Sequence, residues 1–157
     1  MLDDQHLSFR GGCQCGAVRY AISGAFENPH ICHCRMCQKA FGNYFAALVG
    51  AKKKDFQWTR GRPGIFRSSS VVERCFCRDC GTPLSIADNH SDRIAISIGS
   101  LDDPGAVTPA HQYGIESRLP AFEHLHGLEG SRTEDDVPPE MMVKLKSLQH
   151  PDGEEQA

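Results

Sequence analysis

The sequence predicts a mainly β domain. Short runs of alternating or β-branched residues recur along the chain, stretches rich in Gly and Pro separate them, and the segments that read as helix are brief. The runs fall at residues 17–22, 44–49, 65–69, 84–87 and 93–98. The last is the clearest: Ile94, Ile96 and Ile98 share one face, and Arg93, Ala95 and Ser97 share the other. Punctuation such as TRGRPG and LDDPG marks turns between runs. The stretch CRMCQKAF has room for one or two helical turns, which would put Cys34 and Cys37 on one helical face. Phe41, Phe45 and Trp58 are expected in the core.

Beyond Gly130 the composition changes. SRTEDDVPPE reads as a polar linker, EMMVKLKSLQ as a short amphipathic helix and HPDGEEQA as a frayed tail. The expected organisation is therefore one domain over residues 1–130, with a linker, short helix and mobile tail over residues 131–157.

Bulk properties narrow the function classes. The chain has 157 residues, enough for one domain with its own core. The net charge of −3 argues against a nucleic-acid surface. The single basic run, Lys52 to Lys54, reads as a solvated loop face. No apolar stretch reaches the roughly 20 residues of a membrane helix. The acidic, polar N-terminus MLDDQHLSFRGG lacks the pattern of a secretory leader, so a cytoplasmic location is expected. In a reducing compartment eight cysteines point to metal ligands, catalytic thiols or small buried residues rather than disulfides.

The cysteines form three clusters: Cys13 and Cys15; Cys32, Cys34 and Cys37; and Cys75, Cys77 and Cys80. Two C-x-x-C pairs, Cys34/Cys37 and Cys77/Cys80, have the spacing that lets two sulfurs reach one metal from a tight turn. Gly16 and Gly81 follow Cys15 and Cys80, where a glycine tolerates positive φ and admits backbone N–H groups to the sulfurs. A four-cysteine site can pair Cys13 and Cys15 with Cys77 and Cys80, tying the start of the domain to its middle. The trio Cys32, Cys34 and Cys37 then has the pattern of a site with an open position. A second structural site, with Cys75, His30 or His33 as fourth ligand, and a redox role for the trio are the alternatives. Cys75 by default is a small buried strand residue, and His33 an exposed side chain or a neighbour of the ligands.

The blocks GGCQCGAVRY, CHCRMCQKAFG and FCRDCGTPL, in that order, resemble the glutathione-dependent formaldehyde-activating enzyme (GFA)/CENP-V family over residues 9–124. The resemblance implies a β-tent fold: several small, twisted, mainly antiparallel sheets around zinc, with little helix. It implies one structural zinc on Cys13, Cys15, Cys77 and Cys80. It also implies a catalytic-type zinc on Cys32, Cys34 and Cys37, a three-ligand site that can be empty in a crystal. Cys75 departs from the family pattern. Family members are described as carbon–sulfur lyases, or as enzymes that condense glutathione with formaldehyde.

Three thiolates on Zn²⁺ leave an electron-rich centre, a weak activator of water but well suited to hold a substrate thiol as thiolate. The expected function is a zinc-dependent carbon–sulfur lyase-type enzyme acting on a glutathione or other thiol adduct, with the substrate thiol as fourth ligand. The alternative is a non-catalytic, zinc-stabilised binding module. Arg35 and Lys39 flank the trio and are expected to meet the carboxylates of a glutathione-like substrate. His30 or His33 can move a proton near pH 7. The expected partner is this small thiol or adduct, with neither nucleic acid nor membrane, and exposed sheet edges leave room for a homodimer.

Overall fold

The computed structural model describes residues 8–153. The first seven residues, on which part of the leader argument rests, and the last four of the tail lie outside the described residues. Ten strands and three short helices are present among them: β1 (Ser8–Gly12), β2 (Arg19–Ser23), β3 (Glu27–Cys32), α1 (Arg35–Phe41), β4 (Ala46–Lys52), β5 (Phe56–Arg60), β6 (Gly64–Arg67), β7 (Val72–Phe76), β8 (Pro83–Asp88), β9 (Arg93–Ser97), β10 (His111–Tyr113), α2 (Thr133–Asp136) and α3 (Pro139–Met142). Among the described residues no helix is long and apolar enough to cross a membrane.

The mainly β architecture agrees with the sequence reading. Its strands gather into a three-stranded sheet, β1-β2-β5, and a seven-stranded sheet, β10-β3-β4-β9-β8-β7-β6. All pairings are antiparallel except that of β10 with β3. The five strand runs read from the sequence correspond to β2, β4, β6, β8 and β9. The period-2 pattern of β9 places Ile94 and Ile96 in the core, while Ile98 begins a 3₁₀ turn after the strand and is also buried.

The main core joins both sheets. Tyr20 and Ile22 from β2 meet Val49 and Ala51 from β4, Leu84 from β8 and Ile96 from β9. Trp58 packs on the edge of this core, stacked edge-on to Tyr20 and Phe56. Two polar contacts then fix the small sheet to the end of β9. The Arg19 guanidinium grips the Asp102 carboxylate through two bonds, of 2.9 and 2.6 Å. Ser100 donates its only hydroxyl proton to the Ser97 carbonyl at 2.9 Å, so the Tyr20 hydroxyl is the donor to Ser100 Oγ at 2.8 Å. Burial pushes the Tyr20 phenol up, which keeps it a neutral donor.

The C-terminal segment departs from the helix expected over residues 140–149. Only Pro139–Met142 is helical, because the apolar residues beyond it find no surface to cover: Val143 is 82% and Leu148 93% exposed. The chain nevertheless returns to the domain. The His150 amide donates to the Gln14 carbonyl at 2.8 Å, and its ring lies against Gly16.

Tyr20→Phe removes one buried hydrogen bond while leaving Ser100 bonded to Ser97. We expect a loss of about 1 kcal/mol in chemical denaturation, with the fold unchanged.

Candidate metal centres

Two turns of similar build form the first centre. Cys13 and Cys15 lie in the turn between β1 and β2, and Cys77 and Cys80 lie in the turn between β7 and β8. Each turn closes on itself: the Cys13 amide donates to the Val18 carbonyl at 2.9 Å, and the Cys77 amide to the Thr82 carbonyl at 3.0 Å. The glycines are required for this geometry. Gly16 has φ +77° and Gly81 φ +79°, and at Gly16 a β-carbon would also collide with the His150 ring. The Val18 amide points at Cys13 Sγ, at 3.2 Å.

The four sulfurs lie within 4.8 Å of one another. Cys13 and Cys15 are 3.6 Å apart, and Cys15 and Cys77 are 3.7 Å apart. Sulfurs bonded at about 2.3 Å to a tetrahedral ion stand about 3.8 Å from each other. The spacing therefore fits a metal ion, and all eight cysteines are free thiols. Burial opposes ionisation of Cys80, but the Thr82 hydroxyl, at 3.2 Å, and backbone donors outweigh it and bring the thiol down to about 6.

The second centre is assembled from consecutive elements. Cys32 ends β3, Cys34 caps α1, and Cys37 lies in its first turn, where its amide points at Cys34 Sγ at 3.4 Å. These three sulfurs also lie within 4.8 Å of one another. Among the described residues no fourth His, Cys, Asp or Glu joins them within that distance. Cys37 is buried against Ala46 and Leu48 of β4. The Cys32 thiol, hydrogen-bonded to Cys37, is itself pushed up and holds the Cys37 thiol down; the Arg74 guanidinium adds to the lowering.

Arg74 is the residue that sequence reading missed. It is buried in the middle of β7, and both its terminal nitrogens face Cys37 Sγ, at 3.7 and 3.6 Å. The available signal was the alternation Val72, Arg74, Phe76: with that face turned inward, an arginine needs an anionic partner. A second brace comes from β10. The His33 amide donates to the Tyr113 carbonyl at 2.9 Å, and the Gln38 amide group reaches both the His33 carbonyl, at 2.8 Å, and the Ser117 carbonyl, at 2.9 Å.

The remaining candidates are dispersed. His33, expected to be either an exposed side chain or a neighbour of the ligands, is not exposed: it is fully buried, because Phe45 and Phe122 pack edge-on against its ring and Gln112 bonds Nε2 at 2.9 Å. His30 is held through Nδ1 by the Asn28 carbonyl at 2.7 Å. Cys75 pairs with Ser85 across β7 and β8 and belongs to neither cysteine cluster. Arg35 and Lys39 are exposed on α1 and share an open cleft of about 540 Å³ with Tyr44, Phe45 and Leu119; none of the three cysteines lines it.

Fold and site together define a mainly β protein with two cysteine clusters, each able to hold a metal ion. The family model of the glutathione-dependent formaldehyde-activating enzyme matches residues 8–116, and the chain belongs to that family. An uncharacterized lyase of Schizosaccharomyces pombe is 32% identical over 81 residues, which span 50% of this chain and 57% of that protein. The crystal structure of a Rhodobacter sphaeroides protein shares the fold, with a TM-score of 0.55 at 21% identity, covering 66% of this chain and 98% of that one. The chain thus spans less than two thirds of the length of that relative.

The two centres should respond differently to loss of one thiol. Cys80→Ser is expected to lower stability by about 3 kcal/mol or more and to reduce folded yield. Cys34→Ser should stay folded and lose one metal equivalent. Native mass spectrometry alongside circular dichroism checks both.

Proposed function

We propose that this chain is a zinc-dependent carbon–sulfur lyase-type enzyme acting on a glutathione adduct or another thiol adduct. The observation that carries this reading is the trio of sulfurs, which no fourth His, Cys, Asp or Glu joins among the described residues. On this reading, Cys13, Cys15, Cys77 and Cys80 hold a structural zinc, and Cys32, Cys34 and Cys37 hold a second one. Soft sulfur donors in this number suit zinc. A zinc ion held by three thiolates keeps a visiting thiol deprotonated without strongly activating water.

The chain's own residues would divide the work. Cys32, Cys34 and Cys37 leave one corner for the sulfur of the adduct. Arg74 donates to Cys37 and tempers its charge, so the cluster holds an anionic visitor with less repulsion. The Gln38 and His33 contacts fix the loop between Cys32 and α1. Arg35 and Lys39 offer two cations to the carboxylates of a glutathione-like substrate. In the lyase direction the carbon–sulfur bond of a hydroxyalkyl adduct breaks. Sulfur departs with the bonding pair, the carbonyl forms, and the hydroxyl proton leaves to solvent.

The alternative, a binding module without catalysis, needs the chain itself to supply a fourth ligand. Cys75, His30 and His33 are the candidates for that ligand, and none of them joins the cluster of three sulfurs. The lyase reading also places the protein in the cytoplasm, where free thiols persist.

Cobalt-substituted protein tests the reading. Millimolar glutathione should alter the thiolate-to-metal absorption band, and Cys34→Ser should abolish both this response and turnover of glutathione adducts. An unaltered band contradicts thiol capture. Replacing both Arg35 and Lys39 by Glu should raise KM for a glutathione adduct about tenfold or more while kcat changes little.

A further inference from the structure

The chain just beyond β10 meets the second centre through Tyr113, Gly114 and Ser117. β10 is an edge strand, paired only with β3 in its sheet. After it the backbone turns through Gly114 into a 3₁₀ turn, Ile115–Ser117, closed by the Ser117 amide on the Gly114 carbonyl at 3.0 Å. The Tyr113 carbonyl accepts from the His33 amide at 2.9 Å, and the Ser117 carbonyl accepts from Gln38 Nε2, also at 2.9 Å. Gln38 is buried, and the same nitrogen donates to the His33 carbonyl at 2.8 Å, so both its amide protons are used here. Between these two ties Gly114 lies directly on Cys34. A β-carbon on Gly114 would stand 2.8 Å from the Cys34 nitrogen and 3.2 Å from both its Cα and its Cβ. Two of these are backbone atoms, which cannot swing aside as the tip of a side chain can.

We propose that Gly114 is a positioning residue for the second centre. Its bare backbone lets the turn close on Cys34, and the turn holds that sulfur in register with Cys32 and Cys37. The inference rests on the reading of the trio as a thiol-binding metal site, and it adds a part from outside the cysteine motif. Cys34 is the ligand that needs such a hold. Cys32 is fixed in β3 between two neighbouring strands, and Cys37 is fixed in α1 and faced by Arg74. Cys34 stands between them at the cap of α1, in neither element, with φ −57° and ψ 148°. A methyl group on Gly114 leaves two ways out. The turn backs away and loosens the His33 and Gln38 bonds, or Cys34 is pushed out of line with the other sulfurs. Either one degrades the tripod that would receive the sulfur of an adduct.

The test is cobalt binding to full-length protein, read by native mass spectrometry under chelator competition and by the thiolate-to-metal absorption band. Cys34→Ser, which keeps the four-cysteine centre intact, identifies the share of the first ion. Gly114→Ala should weaken binding of the second ion about tenfold or more and diminish its absorption band, while the first ion and the circular dichroism stay as they are. Gly42→Ala is the control: Gly42 caps the end of α1 at φ +58°, close to the +64° of Gly114, but a β-carbon there meets nothing within 4 Å. It carries a like backbone strain without the contact and should bind both ions as the parent does. Gln38→Met cuts the tie to Ser117, leaves Gly114 in place and should weaken the second ion severalfold. Unchanged second-ion binding in Gly114→Ala, an equal loss in Gly42→Ala, or loss of both ions from a folded Gly114→Ala would each overturn the proposal. Should Gly114→Ala not fold, unchanged binding in Gln38→Met overturns it instead. If glutathione leaves the parent's band unaltered, thiol capture fails, while the metal comparison still decides the role of Gly114.

Discussion

Crowding of sulfur governs this molecule. Four thiols sit at about the separation that a tetrahedral ion would impose, and they come from turns far apart in sequence, Cys77 lying 62 positions after Cys15. Neutral thiols gain little from such crowding, and thiolates repel one another. A soft cation resolves both problems, and its binding free energy becomes folding free energy. The cluster joins the turn leading into the three-stranded sheet to the β7–β8 turn of the larger sheet. The Arg19–Asp102 ion pair, the Tyr20–Ser100–Ser97 relay and the Gly11–Leu101 bridge fasten the same small sheet at the end of β9. The small sheet is thereby held at two points.

The second cluster answers the same constraint differently. Its sulfurs are local, supplied by a strand end, a helix cap and a first helical turn, so it closes no long loop. Its loss should cost less stability, which leaves its geometry free to serve chemistry. Compensation comes partly from the protein: Arg74 reaches Cys37 across the sheet, and β10 braces the backbone between Cys32 and Cys34. This brace explains why a three-residue strand pairs in parallel with β3. The register sets Tyr113 beside Cys32, and the Tyr113 carbonyl takes the His33 amide.

The cysteine clusters were legible because their information is local. C-x-C-G and C-x-x-C-G fix turn geometry within a few residues, and the positive φ at Gly16 and Gly81 follows from the need to fold sulfurs inward. Strands with regular apolar content, such as β4 and β9, were legible for a similar reason. The others lacked that signal. β1 contains two glycines, β3 carries Pro29 beside Asn28 at positive φ, and β10 has only three residues. The pairing of β10 with β3 is also long-range and rests on a neighbour that no window along the chain contains. The same limit hid Arg74, whose partner lies 37 residues away, and the burial of His33, made by Phe122 and Gln112.

X-ray absorption at the zinc edge tests the central claim most directly. The account predicts two zinc ions per chain, one with four sulfur neighbours and one with three sulfurs and a lighter atom. Added thiol should convert the lighter neighbour of the second ion to a fourth sulfur. Two ions with four sulfurs each before any thiol is added, or a second ion whose neighbours do not change, would contradict it.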